Sequence, residues 1–162
     1  MPAPPDSLVT RPAYTTLLCA LRVLFVLIGL LPWLLPPARA HLPLGAFGRA
    51  LDLAFLPFCH RIEARTLSLA GIPMPLCSRC AGIFAGIALG ALLAWPKFPM
   101  RIWRVVLLAI TGIMLIEIAT QDLGLHPVFH PTRIATGALL GYAMAVSFAT
   151  NLFNRRIGAP TS

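Results

Sequence analysis

Apolar residues along this chain come in long runs separated by short, proline-rich polar joints. They do not alternate as in strands or recur as the stripe of a surface helix. Four runs approach the roughly 20 mostly apolar residues that a helix needs to cross a bilayer; they cover about 17–35, 76–95, 102–120 and 134–153. The first closes on "PWLLPP", where proline cannot continue a helix. The second, "LCSRCAGIFAGIALGALLAW", is expected to start near Leu76 with Pro75 at its first position, because Gly82 to Trp95 alone is too short for the hydrocarbon core. A fifth stretch, "LGAFGRALDLAFLPF" (44–58), carries Arg49 and Asp52 one turn apart, which predicts a helix lying in the membrane interface. The pattern therefore predicts an all-α polytopic membrane protein, one membrane domain over 1–162, with about four transmembrane helices, an interfacial helix and a loop over 36–75.

Composition strengthens that reading. Of 162 residues 58% are hydrophobic and only 11% charged, where a soluble domain carries about a quarter charged. The net charge of +8 does not imply nucleic acid, since no basic helix or nucleic-acid fold is recognisable. Arg11, Lys97, Arg101, Arg104, Arg155 and Arg156 flank the apolar runs instead, where they orient the chain and meet anionic lipid. The expected partner is the lipid bilayer. The basic loop "PKFPMRIWR" and the terminal "NRR" place both termini in the cytoplasm, while Arg39, Arg49, Arg61, Arg65 and Arg79 in the first loop count the other way. "PPARA" before His41 resembles a signal-peptide cleavage site, so cleavage after Ala40 is the alternative to a first span.

Parity adds a result independent of orientation. With four spans, the loops 36–75 and 121–132 share one face of the membrane. Cys59, Cys77, Cys80 and all four histidines (His41, His60, His126, His130) fall on that face, and Cys19 does not. Cys77 and Cys80, three apart at a helix start, can turn both sulfurs to one side, where the positive helix end and Arg79 stabilise thiolate. Cys59 and His60 complete C-H…C-x-x-C, a full tetrahedral set for zinc, with iron as the alternative. The same residues support a second reading, a thiol–disulfide oxidoreductase in which Cys77 attacks, Cys80 resolves and Arg79 assists. An outward loop favours the disulfide and a cytoplasmic one the metal. His126 and His130 each precede proline, which disfavours a regular helical ligand pair. No nucleophile elbow or phosphate loop is present to support a hydrolase or kinase.

Charged groups inside spans are expensive and find partners or cavities. Glu117 and Gln121 lie four apart at the end of the third span, and Arg133 opens the fourth. They predict a hydrogen-bonded polar cluster, with transport of a proton or small solute as a third functional class. Gly82, Gly86 and Gly90, and Gly137 with Gly141, make faces for close helix approach. Packing within the bundle is expected there, with self-association through Gly82, Gly86 and Gly90 as the alternative.

These residues carry a resemblance. "CHRIEARTLSLAGIPMPLCSRCAGIFAG" resembles the signature of a prokaryotic membrane-protein family, domain of unknown function 2085. Cys59, His60, Arg65, Thr66, Pro75, Cys77, Arg79, Cys80 and Gly82 match its first block. Glu117, Gln121, Arg133, Thr136, Gly137 and Gly141 match a looser second one, over about residues 55–142. The resemblance implies a prokaryotic inner-membrane protein and adds Arg65 to the polar group, but implies no activity. Arg61, Ser78, Ala81 and Glu117 depart from the family's glutamine, alanine, threonine and aspartate. Every cysteine of the motif and the CH histidine are kept.

Overall fold

The structure, a computed structural model, describes residues 11–59, 62–93 and 99–157. Five helices and one hairpin follow in order: α1 (Arg11–His41), α2 (Gly45–Phe55), β1 (Thr66–Leu69), β2 (Ile72–Cys77), α3 (Ser78–Leu93), α4 (Met100–Asp122) and α5 (His130–Ile157). Among the described residues, three stretches are long and apolar enough to cross a membrane: Thr16–His41, Met100–Asp122 and His130–Leu152. α3 is as apolar but has 16 residues, roughly 24 Å of helix.

α1 does not stop at "PWLLPP" as expected. It runs through Pro32, Pro36 and Pro37 to His41. Each proline removes one helical hydrogen bond, and neighbouring helices can compensate for that loss in a membrane bundle. Here Pro32 and Pro36, one turn apart, are fully buried, so the face that lacks donors is covered. Trp33 of the same segment donates its indole N–H to the Ala81 carbonyl of α3 at 3.0 Å.

The architecture rests on α3 and α5. An added Cβ on Gly82 would overlap the Ile134 carbonyl, one on Gly86 the Ala138 carbonyl, and one on Gly90 the Ala145 side chain. From the other side, Gly137 and Gly141 seat the carbonyls of Arg79 and Ile83. The contacts advance together along both helices, so α3 and α5 run parallel. These glycines permit backbone-to-backbone contact that no larger residue allows. Gly82, Gly86 and Gly90 thus pack against α5 of the same chain, in line with the expectation of packing within the bundle.

α1 lies antiparallel to α3, with Gly29 against Phe84 and Ala88. α4 lies antiparallel to α5: Trp103 near its start packs on Tyr142, ring centroids 6.4 Å apart, while Glu117 near its end reaches Thr136 at 3.0 Å. The ends of α1 and α4 and the starts of α3 and α5 therefore gather at one end of the bundle. α4 buries no residue fully and presents Val105, Leu108, Leu115 and Ile116 outward, as a lipid-facing helix does.

The all-α expectation omitted a hairpin. β1 and β2 pair antiparallel, Leu69 opposite Ile72 and Thr66 opposite Cys77. They are joined at Ala70 and Gly71, whose φ angles of 55° and 74° suit a two-residue hairpin turn. Pro73 and Pro75 are tolerated because each strand of a two-stranded sheet is an edge. Pro75 thus lies in β2 and does not open the helix. α2 ends at Phe55 and a short 3-10 turn carries on to Phe58. Asp52 of α2 binds Arg39 of α1 at 2.6 Å, and Arg39 also donates to the Gly48 carbonyl.

Candidate functional site

The hairpin returns the chain into the bundle at the start of α3. Met74 and Leu76 of β2 are buried with Leu35 of α1 and Phe55 of α2, which fixes Cys77 as the last residue of the strand. α3 begins at Ser78, so Cys80 occupies its first turn. Cys59 arrives separately, one residue past the turn that follows α2. Cys77 and Cys80 therefore do not share a helical turn as expected, yet the strand-to-helix corner brings them together.

The three sulfurs lie within 4.8 Å of one another. A tetrahedral zinc thiolate, with Zn–S near 2.3 Å, needs sulfurs about 3.8 Å apart, so a modest contraction would complete the set. The backbone N–H of Cys77 donates to the Cys59 sulfur at 3.2 Å, a supporting bond of the kind that steadies metal-bound thiolates. The Cys80 thiol faces the Phe58 carbonyl at 3.6 Å. Cys59 is buried and the other two are half-buried. Phe84 closes one side, edge-on to Phe55 and Phe58 at centroid distances of 5.7 and 6.1 Å. The hydrogen bond from the Cys80 thiol, acting against burial, pulls the Cys77 thiol down to about 4, and backbone bonds at Cys80 and Arg79 and the Cys59 thiol add to it.

Behind the sulfurs lies a buried polar layer. Arg133 donates to the Gln121 side-chain oxygen at 2.6 Å, and Arg79 reaches the same oxygen at 3.5 Å. Arg79 also pairs with Glu117 at 3.4 Å. Gln121 donates to Glu117 at 3.3 Å, and Thr136 donates to its other oxygen at 3.0 Å. Arg79, two residues after Cys77 and directly before Cys80, belongs to this layer, so the two groups of residues adjoin.

Of the expected polar group, Glu117, Gln121 and Arg133 come together, while Arg65 pairs with Asp122 at the end of α4 at 2.8 Å. Arg79, expected to serve the thiols, has its guanidinium in the polar layer instead. Thr132, which donates to Glu117 at 3.5 Å, and Thr136 were not anticipated as partners; their spacing of one turn from each other, with Arg133 between them, was the available signal. His60 lies outside the described residues. His41 ends α1 exposed. His126 bonds the Thr120 hydroxyl at 2.9 Å and His130 opens α5, so neither stands among the three cysteines. Cys19 is exposed on α1.

Chemically, three convergent sulfurs could hold a metal ion, and the neighbouring Cys77 and Cys80 sulfurs could exchange with disulfides. Comparison with known proteins places this arrangement in context. An uncharacterized protein of Methanocaldococcus jannaschii is 29% identical over 94 residues, covering 53% of this chain and 58% of that one. An uncharacterized protein of Methanothermobacter thermautotrophicus is 34% identical over 96 residues, covering 58% of this chain and 86% of the relative. The chain thus spans under two thirds of the first relative's length and most of the second's. No solved structure matches. The model of one family, described as "Predicted membrane protein (DUF2085)", matches residues 59–147, a region that opens on Cys59 and takes in the other two cysteines and the whole polar layer. The chain belongs to that family.

Proposed function

We propose that this is an integral membrane protein with four spans whose Cys59, Cys77 and Cys80 hold a thiophilic metal ion such as zinc in a structural or regulatory role. The single observation that carries this reading is the convergence of three sulfurs from three separate elements within 4.8 Å. His60, next to Cys59 in sequence, is the candidate fourth donor. When bound, the ion would clamp the segment after α2 onto the strand-to-helix corner. The four-span reading is supported by α3 lying parallel to α5 along its glycine seam. Both termini are assigned to the cytoplasmic side of a prokaryotic inner membrane, which with four spans puts the three cysteines at its outer face, where disulfides also persist.

The test is metal content and free-thiol count on protein purified anaerobically in detergent. One metal per chain, lost in Cys59→Ser, Cys77→Ser and Cys80→Ser, is the expected result. Metal-free protein with a reducible Cys77–Cys80 disulfide would sink the reading. Cysteine labelling from each side of the membrane tests the orientation.

That failing outcome would favour a second reading, for which the Cys77 and Cys80 sulfurs within 4.8 Å of each other are the specific support. In it the Cys77 thiolate attacks a substrate disulfide and releases one substrate sulfur as a thiol. Cys80 then attacks the mixed disulfide, so the pair becomes a disulfide and the substrate a dithiol. Its signature is alkylation of Cys77 in metal-free protein at a rate nearly constant from roughly pH 6 to 9 and falling as pH drops toward about 4, since only the thiolate reacts. A rate rising tenfold per pH unit up to pH 8 would exclude it.

A further inference from the structure

A cavity of about 470 Å³ opens between the end of α1, α2 and the hairpin, a volume in the range of about 300–1,000 Å³ that small-ligand sites occupy. Its described lining includes none of the three cysteines. Met74, 2% exposed, makes an apolar floor with Pro73. Arg39 and Asp52 form a paired wall, and both terminal nitrogens of Arg39 are committed, to Asp52 and to the Gly48 carbonyl. The rest of the lining offers acceptors. Thr66 gives its hydroxyl hydrogen to the Ile62 carbonyl, so its oxygen can only accept. Ser68, opposite Pro73 in the hairpin, adds a second hydroxyl. The carboxylate of Glu63 accepts only, and among the described residues no cation pairs with it. An occupant must therefore bring hydrogen-bond donors, and a carboxylate favours a donor that is charged. This polarity of hydrogen bonding holds whatever the net charge of the cavity.

Position narrows the choice of donor. Trp33 bonds Ala81 near the start of α3, and Arg39 lies six residues further along α1, roughly 9 Å beyond that level. The cavity thus sits outside the starts of α3 and α5, at the depth of the headgroup layer, about 5–8 Å thick on each side of the hydrocarbon core. α2 turns Gly48 and Phe55 inward and Asp52 to the cavity. Its opposite side is apolar and open, with Phe47 and Leu53 65% and 62% exposed. At about 100° per residue, Arg49 falls between Asp52 and Leu53 around the helix, on the edge where cavity and apolar face meet. Arg49 is exposed and has no ion-pair partner among the described residues. An apolar face, a cation and a pocket of acceptors follow the order of acyl chain, phosphate and ammonium in an amine-bearing phospholipid. We propose that this cavity binds the headgroup of a phospholipid carrying a primary ammonium. The ammonium sits among Glu63, Thr66 and Ser68, the phosphate at Arg49 and the acyl chains along Phe47 and Leu53. A primary ammonium brings three donors, a trimethylated headgroup none, and a glycerol headgroup no charge for Glu63. The bound lipid ties α2 to the hairpin, independently of the cysteines.

The experiment uses the full chain, delipidated in detergent, with phosphatidylethanolamine, phosphatidylcholine or phosphatidylglycerol of identical acyl chains added back. Binding is read by native mass spectrometry and by the rise in unfolding temperature. Phosphatidylethanolamine should bind at one per chain, about tenfold more tightly than phosphatidylcholine. Glu63→Gln should weaken phosphatidylethanolamine about fivefold and leave the other two lipids unchanged, phosphatidylglycerol being drawn to basic flanks elsewhere on the chain. Arg49→Gln should weaken phosphatidylethanolamine and phosphatidylcholine alike. Both positions are exposed, so neither change threatens folding. Equal affinity for phosphatidylethanolamine and phosphatidylcholine, or phosphatidylethanolamine binding that ignores Glu63→Gln, overturns the proposal. Free phosphoethanolamine, which lacks the acyl contacts, should bind about a hundredfold more weakly than the lipid. Affinity equal to the lipid's would make this a site for a soluble amine and overturn the assignment to the membrane.

Discussion

α3 and α4 are both apolar helices packed on α5, and they are held in opposite ways. α3 meets α5 through glycines, carbonyl against Cα, along its length. α4 buries no residue fully and is tied to the bundle chiefly at its ends, by Trp103 on Tyr142 and by the polar layer around Glu117 and Gln121. In lipid, apolar side chains gain nothing by leaving one hydrocarbon surface for another, so association depends on close packing and hydrogen bonds. The two interfaces use one of these forces each. The comparison teaches that the polar layer has two tasks: it adjoins the sulfurs, and it anchors the helix that has no packed seam of its own.

Several substitutions would break or sharpen the contrast. The largest effect is expected at the glycine seam. Gly86→Leu drives a side chain into the Ala138 carbonyl and should cost about 3 kcal/mol or more, seen as loss of monodisperse protein in detergent. A well-folded Gly86→Leu would mean that α3 and α5 do not touch as described. Next comes the anchor. Glu117→Ala leaves Arg79 and Arg133 without a counter-charge, and breaking a buried pair costs about 3 kcal/mol. Thermal unfolding in detergent should show it, together with faster protease access to the loop between α4 and α5. Thr136→Val removes one hydrogen bond to Glu117 and should cost about 1 kcal/mol. Smallest is Gly112→Ala on α4, where an added Cβ meets nothing within 4 Å. Helix propensity then favours alanine by about 1 kcal/mol, so its melting temperature should stay level or rise. A drop at Gly112 equal to that at Gly86 would abolish the distinction between the two interfaces.

The long apolar runs made most of the helices legible, because a membrane demands length and hydrophobicity and the residues state both. Three of the four expected spans appear as helices of sufficient length within a residue or a few of their expected cores, apart from the end of α1. Prolines 32, 36 and 37 read locally as a stop. Only burial of that face against the rest of the bundle explains why the helix continues. The hairpin was hidden for a related reason. "LSLAGIPMPLC" has a weak turn signal in Ala70–Gly71, and the rule that a span needs 20 residues drew Pro75 and Cys77 into the helix. The cysteine group was visible as a spacing, and its convergence depended on a corner that spacing does not encode. Arg79 could be placed near the thiols by sequence adjacency, but its long side chain passes to Glu117 on α4, a tertiary contact with no local mark.

The parallel seam has one more consequence, for how the protein is made. α3 is followed by α4, and its neighbour α5 is synthesised only after both. Until α5 leaves the ribosome, the glycine face of the shortest apolar helix has nothing to rest on, and Arg79 has Glu117 but neither Arg133 nor Thr136 beside it. The later helix α5 therefore completes the polar layer as well as the glycine seam. Chains interrupted before His130 should leave α3 without its seam partner, and protease resistance of α3 in such nascent chains equal to that in the longer chain would show that this order does not matter.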